Sequence, residues 1–202
     1  FGNCDTMLKQ CVVANSAYVN QAEIFFNLDD KSELSDTVVK NFMAGQESGW
    51  ERNEDGTYYM SAAIVAPGPA TEAGMQTVIM KESFVYSTTI KMPAESYAAD
   101  KYRGLWINNV NGGTFELKYN VGANTVTAGT DFSMNVDWEI GENADWHTLT
   151  MEITDSAIKC YVDGALVYTS TVGASLSSGI VPLMFGNCDT MLKQCVVANS
   201  AY

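Results

Sequence analysis

Glu116, in the run GGTFELKYN, is the acid whose setting most invites a chemical reading. In an extended chain its same-face neighbours are Thr114 and Lys118. Retaining cleavage of a glycosidic bond takes two carboxyl groups about 5 Å apart, one attacking and one donating a proton. This run offers one. Lys118 would also pair with the ionised carboxylate, whereas a proton donor must be protonated. His147 is the only histidine. It alternates with Leu149 and Met151 and so reads as a structural residue on a core face. No serine sits in a nucleophile-elbow motif. These residues predict a protein without catalysis.

Binding chemistry has more support. Aromatic ring faces pack against the apolar faces of pyranoses, and Trp50, Trp106, Trp138 and Trp146 are available. A core also needs large rings, and Trp138 suits that use. Trp106, beside Asn108 in GLWINN, is the better glycan candidate, with Glu116 as its polar partner. The loop Asp137–Asp145 clusters acids, but its glycine is misplaced for a helix-loop-helix calcium site, and a solvated loop explains it as well. The five cysteines are Cys4, Cys11, Cys160, Cys188 and Cys195. The Cys-x6-Cys spacing at each end suits a small disulfide loop in an oxidising compartment, with free buried thiols as the alternative. It is not a paired CxxC zinc pattern.

The elements that must position these groups are strands. The 202 residues are 47% hydrophobic and 17% charged, enough apolar content for one well-buried domain. A net charge of −13 excludes the basic surface that nucleic acid requires. It fits an extracellular or cell-surface protein. No apolar run reaches the roughly 18 residues of a membrane span. The sequence starts at Phe1, read as a processed end or a cut in a longer chain.

Period-2 alternation dominates. It places Phe84, Tyr86, Thr88, Ile90 and Met92 on one face of a strand, Phe115, Leu117, Tyr119 and Val121 on another, and Phe132, Met134, Val136, Trp138 and Ile140 on a third. Asp55-Gly56, Asn111-Gly112-Gly113 and Asp163-Gly164 read as hairpin turns. Ala66–Gly74, with two prolines, reads as a loop. The one short helix expected spans Ser35–Ala44. Many short strands with almost no helix predict an all-β, antiparallel β-sandwich of jelly-roll type.

ADWHTLTMEITDSAIKCYVDGALVYTST (Ala144–Thr171), with FVYSTTIKMP and GLWINN upstream, resembles the concanavalin A-like lectin/glucanase superfamily, especially its laminarinase-type glycoside hydrolases and LamG-like modules. The resemblance implies a jelly roll from Phe84 to Asp189. It also implies that GGTFELKYN occupies the strand where the hydrolases carry a Glu-x-Asp-x-Glu run; here that run is missing. The family often binds a structural ion where Asp29 and Asp30 would approach Asp189, which makes these three a candidate calcium set. No other cofactor is expected. The fold hosts enzymes, lectins and inert scaffolds alike.

FGNCDTMLKQCVVANSAY occurs twice, as Phe1–Tyr18 and Phe185–Tyr202, at an offset of 184 residues. Its apolar residues fall on both faces, as in a strand covered on two sides. One sandwich needs such a closing strand once. Residues 1–18 are therefore expected to form a coupling segment and residues 19–202 a single jelly-roll domain. Met7, Leu8, Cys11, Val12 and Val13, with their counterparts Met191, Leu192, Cys195, Val196 and Val197, would form the assembly strand. Head-to-tail contact through that strand predicts a non-catalytic subunit of an extracellular filament, its partners being identical subunits or adjacent tandem repeats. A carbohydrate-binding module is the alternative and a laminarinase-like hydrolase a third reading. An engineered copy of the segment is the remaining explanation of the duplication.

Overall fold

Alternating side chains pair here into two antiparallel sheets. The computed structural model describes residues 24–27, 50–61, 80–93, 98, 100–110, 113–129, 132–135 and 145–198. Thirteen strands occur among them: β1 (Ile24–Asn27), β2 (Trp50–Arg52), β3 (Tyr58–Met60), β4 (Phe84–Lys91), β5 (Tyr102–Val110), β6 (Gly113–Asn120), β7 (Thr125–Ala128), β8 (Phe132–Asn135), β9 (His147–Ile153), β10 (Ile158–Val162), β11 (Ala165–Ser170), β12 (Pro182–Gly186) and β13 (Thr190–Ala198). A 3-10 turn spans Leu176–Ser178.

The larger sheet runs β11-β10-β9-β4-β13-β3-β2, with β1 also paired to β13; the smaller runs β12-β5-β6-β7-β8. Two of the three expected inward sets close the core between them. Phe84, Tyr86, Thr88, Ile90 and Met92 are buried, as are Phe115, Leu117, Tyr119 and Val121. Leu105 and Ile107 from β5 meet Leu149, Met151 and Ile153 from β9 in the same cluster. Asp163 (φ 50) and Gly164 (φ 80) make the two-residue turn joining β10 to β11, a left-handed pair that Asp-Gly tolerates. The antiparallel β-sandwich is as expected. The helix at 35–44, the loop at 66–74 and Val136–Ile140 lie outside the described residues, as does Phe1–Tyr18.

The C-terminal copy of the repeated segment is built into the centre of the larger sheet. β13 pairs with β4 along one edge, and with β3 at Thr190–Leu192 and β1 at Val196–Ala198 along the other. Strict alternation would put Leu192 and Cys195 on opposite faces. Instead the pairing with β4 shifts between Leu192 and Gln194, and Leu192, Cys195 and Val197 all enter the core. An irregular step of this kind re-aims every side chain that follows it.

The expected disulfide loop is not formed: Cys160, Cys188 and Cys195 are free and buried. Cys188 lies just before β13 and Cys195 within it, so extended chain holds them on the order of 20 Å apart. A disulfide needs Cα atoms within about 7 Å. Cys4 and Cys11 lie outside the described residues. Burial pushes the Cys160 and Cys195 thiols up to about 12. It raises Cys188 as well, against the opposing pull of Arg103.

The unfolded chain would ionise these thiols near pH 9 while the folded chain keeps them protonated. The thiols' contribution to stability is therefore expected to be flat below pH 9 and to fall between about pH 9 and 12, by roughly 1 kcal/mol per pH unit per thiol. Urea midpoints across that range check this, and Cys195→Ala should reduce the slope. A slope unchanged in that variant would show that another group titrates.

Candidate functional site

β5 and β6 run side by side through the smaller sheet, and their outward positions converge. Trp106 lies opposite Glu116, Gly104 opposite Lys118 and Tyr102 opposite Asn120. On the other side of β5, Leu183 and Phe185 of β12 face Trp106 and Gly104. These outward side chains are half-buried, while Leu105, Ile107, Phe115, Leu117 and Tyr119 between them point into the core. Alternation decides which side chains of each strand point outward, and strand pairing brings them together.

The face carries three adjoining rings. Phe185 lies 5.6 Å from Tyr102 and 5.8 Å from Trp106 between ring centroids, tilted 59° to the first and edge-on to the second. Such tilted arrangements suit the ring quadrupole. Lys118 stands 5.2 Å from the Tyr102 ring centroid, and its Nζ lies 3.4 Å from Glu116 Oε2. Both charged side chains remain about one-third exposed, so acceptor and donor stand beside the rings. The Trp106 indole N–H is enclosed and has no hydrogen-bond partner among the described residues. An unsatisfied buried donor destabilises by about 1–3 kcal/mol, a feature that calls for an explanation at a site.

Asn108 is diverted from the site, because its Oδ1 accepts a hydrogen bond from the Val181 backbone N–H at 3.0 Å. Asn120 Nδ2 donates to the Thr125 and Thr127 hydroxyls. Of the three candidate glycan contacts, the fold brings Trp106 and Glu116 together and uses Asn108 to hold the chain beside β12. Tyr102 was legible as a partner, four residues before Trp106 on one strand face. Phe185 was not, since only the pairing of β12 with β5 places it there.

Beneath the face, Arg103 points into the molecule and is fully buried. Its Nε donates to Thr190 Oγ1 at 2.8 Å, and its Nη2 donates to the carbonyls of Ser61 and Cys188. Burial lowers its pKa, partly offset by Cys188 and Asp189. The β12–β13 connector is tied down again by Asn187, whose Oδ1 accepts from Tyr102 N–H and whose Nδ2 donates to Asp100 O. Arginine at an inward position of an otherwise apolar strand was the available signal for this anchor.

His147 begins β9 at the margin of the core. Its Nδ1–H donates to Asp163 Oδ2 at 2.8 Å, and Asp163 Oδ1 accepts from Thr148 N–H. The pair clamps the β10–β11 turn to β9, as suits a structural histidine. Of the candidate calcium set, Asp189 is described, whereas Asp29 and Asp30 lie outside the described residues. Among the described residues no group of three or more His, Cys, Asp or Glu side chains could hold a metal. None of the described helices is long and apolar enough to cross a membrane.

No protein-family model matches the chain, and no curated protein matches it. Solved structures do. A point mutant of the Emp46p carbohydrate recognition domain superposes with a TM-score of 0.58 at 11% identity, covering 88% of this chain and 97% of that one. The alginate lyase AlgAT5, from polysaccharide lyase family 7, gives 0.53 at 12%, covering 81% and 87%. An Aspergillus kawachii β-fructofuranosidase complexed with glycerol gives 0.48 at 16%, covering 62% of this chain, which spans 25% of that longer protein. At these identities the likeness is one of fold. The chain has the concanavalin A-like jelly-roll fold.

Proposed function

We propose that this chain is a carbohydrate-binding module whose ligand lies on the outer face of the five-stranded sheet. The observation that carries the reading is the ring cluster of Tyr102, Trp106 and Phe185, flanked by the Glu116–Lys118 pair. Rings accept the apolar face of a pyranose, and a carboxylate beside an ammonium accepts and donates to neighbouring hydroxyls. The unpaired Trp106 N–H adds a donor that a small side-chain shift would bring to a hydroxyl. Sharing a fold with a carbohydrate recognition domain supports the reading. The net charge of −13 favours a neutral glycan over a polyanion such as alginate.

Catalysis forms no part of the proposal. Glu116 is the only acid on β6, and its nearest cation is Lys118. An extracellular or cell-surface setting suits this role. Thiols buried as deeply as Cys160 and Cys195 resist oxidation there, because the reactive thiolate is suppressed.

Calorimetric titration with laminarin, mannan and alginate tests the reading. Binding to a neutral glycan is expected, with Trp106→Ala weakening it at least tenfold and Glu116→Gln several-fold. No binding to any neutral glycan, or equal binding by Trp106→Ala, would reject the site. Release of reducing ends from β-glucan, lost in Glu116→Gln, would establish a hydrolase instead.

The central position of β13 favours a second reading, a structural repeat in a filament or tandem array. Each duplicated segment would lie between two bodies and couple them. Electron microscopy of the purified protein distinguishes fibres from single particles.

A further inference from the structure

Tyr102 opens β5, so its ring stands at the end of the candidate face where strand pairing runs out. The pairing of β12 with β5 closes at Gly186↔Arg103. One step further, the Asn187 N–H still donates to Tyr102 O at 3.0 Å. The return bond of an ordinary antiparallel pair would run from Tyr102 N–H to a backbone carbonyl. Here the Asn187 side chain takes that place, and its Oδ1 accepts from Tyr102 N–H at 2.8 Å. Its Nδ2 donates to Asp100 O at 2.7 Å. A carboxamide therefore extends the ladder by one residue while the backbone turns away towards β13.

Residue type matters at this position. The site needs an acceptor for Tyr102 N–H and a donor for Asp100 O on one short side chain, which asparagine supplies. Aspartate would offer two acceptors and set an oxygen against the Asp100 carbonyl. Gly186 brings the chains close enough, since a Cβ there would collide with Tyr102 O and lie 2.9 Å from Arg103 Cα. Cys188 adds a third contact, its Sγ lying 3.2 Å from Tyr102 O. Both backbone groups of Tyr102 are thus held by residues that follow Phe185 directly in the chain, which fixes the 5.6 Å spacing of the two rings. Phe185, Gly186 and Asn187 are also the first three residues of the duplicated segment, so one stretch of chain supplies a ring, the close approach and the clamp.

We infer that Asn187 is a positioning residue of the ring face, holding Tyr102 against Phe185 and so determining affinity for glycans long enough to cover both ends of the face. The inference rests on the carbohydrate reading and adds the residue that sets its dependence on ligand length. Tyr102 and Trp106 are four residues apart on one strand, about 13 Å. A disaccharide seated on Trp106 leaves Tyr102 uncovered, whereas a hexasaccharide covers both.

Calorimetry on the full chain, with laminari- and manno-oligosaccharides of two and six residues, tests this. The hexasaccharide of the preferred series should bind the parent more tightly than the disaccharide. Asn187→Ala should weaken hexasaccharide binding about fivefold, the worth of one ring contact, and leave the disaccharide unchanged. Asn187→Asp, which keeps the acceptor alone, should fall between, and it carries the same comparison if the alanine variant does not fold. Tyr102→Ala should match Asn187→Ala, and the double variant should lose no more than either, because both remove the same contact. Trp106→Ala should weaken both lengths. A signature without ligand accompanies these: in protein labelled with fluorotyrosine, the Tyr102 signal, assigned through Tyr102→Phe, should shift in the Asn187 variants. A merely structural asparagine would lower the urea midpoint without moving that signal or the ratio of the two affinities. The inference is overturned if the ratio is unchanged in the Asn187 variants, if the Tyr102 signal stays in place, or if the losses in the double variant add. Failure of the parent to bind either length would instead reject the carbohydrate reading, and the inference with it.

Discussion

Arg103→Met is expected to destabilise the protein by about 3 kcal/mol, read as a fall in the urea midpoint. Two effects oppose each other. Removing a buried guanidinium relieves a desolvation penalty, and replacing a buried charge by an apolar side chain is often neutral when its partners are replaced too. Here the partners cannot be replaced. The carbonyls of Ser61 and Cys188 are backbone groups, and Thr190 Oγ1 is fully enclosed. The Cys188 carbonyl keeps the Thr190 hydroxyl as a donor at 3.2 Å, but Thr190 Oγ1 and the partly buried Ser61 carbonyl each lose the Arg103 donor. An enclosed acceptor left without a donor contributes about 1–3 kcal/mol of destabilisation, so the loss outweighs the relief. Arg103→Lys keeps the charge but not the planar fork, and should fall between the two. A methionine variant as stable as the parent would show that the β12–β13 connector is held by its strands alone.

Gly104→Ala is expected to be nearly as damaging, at about 3 kcal/mol, and to abolish the proposed glycan binding with it. A Cβ at this position would collide with Leu117 O and lie 2.5 Å from Lys118 Cα. Those are backbone atoms of β6, so no rotamer change relieves the overlap; the strands must separate. Trp106 and Glu116 sit across that seam, with Lys118 directly opposite Gly104. Gly113→Ala is the control. Its φ of +118° disfavours a side chain, but the added Cβ would meet nothing within 4 Å. Strain alone should give a smaller loss, about 1–2 kcal/mol, with binding retained. If the two variants behaved alike, the close approach of β5 to β6 would not be what sets the geometry of the face.

Local patterns agree with the structure where one strand face meets the core. Phe84 through Met92 and Phe115 through Val121 follow alternation, because a pleated strand with one covered face has a fixed two-residue period. Asp163-Gly164 is legible as a turn because its backbone conformation is tolerated by few residue types. β13 departs from the pattern. It has apolar residues on both faces and an irregular step after Leu192, so periodicity could not say which residues face inward. The same extended geometry rules out the Cys188–Cys195 bridge that spacing in sequence suggests.

Within the candidate site, Trp106 and Glu116 stand out by residue type, but their meeting does not. Nothing local to GLWINN or GGTFELKYN states that residue 106 lies opposite residue 116. Phe185 arrives from a strand far along the chain. Asn108 has the chemistry of a ligand-binding amide, yet Val181 takes its oxygen.

The sequence by itself determined an all-β chain, its turns, the inward faces of β4 and β6 and the identity of its two ends, since each follows from backbone preference or from the letters themselves. Only the tertiary structure decided that β13 lies at the centre of the larger sheet and that three rings from two strands adjoin. It alone showed that a buried arginine ties the strand connector to the core. Those outcomes depend on pairing between distant segments, whose register is set by the packing of the whole sandwich rather than by any one stretch.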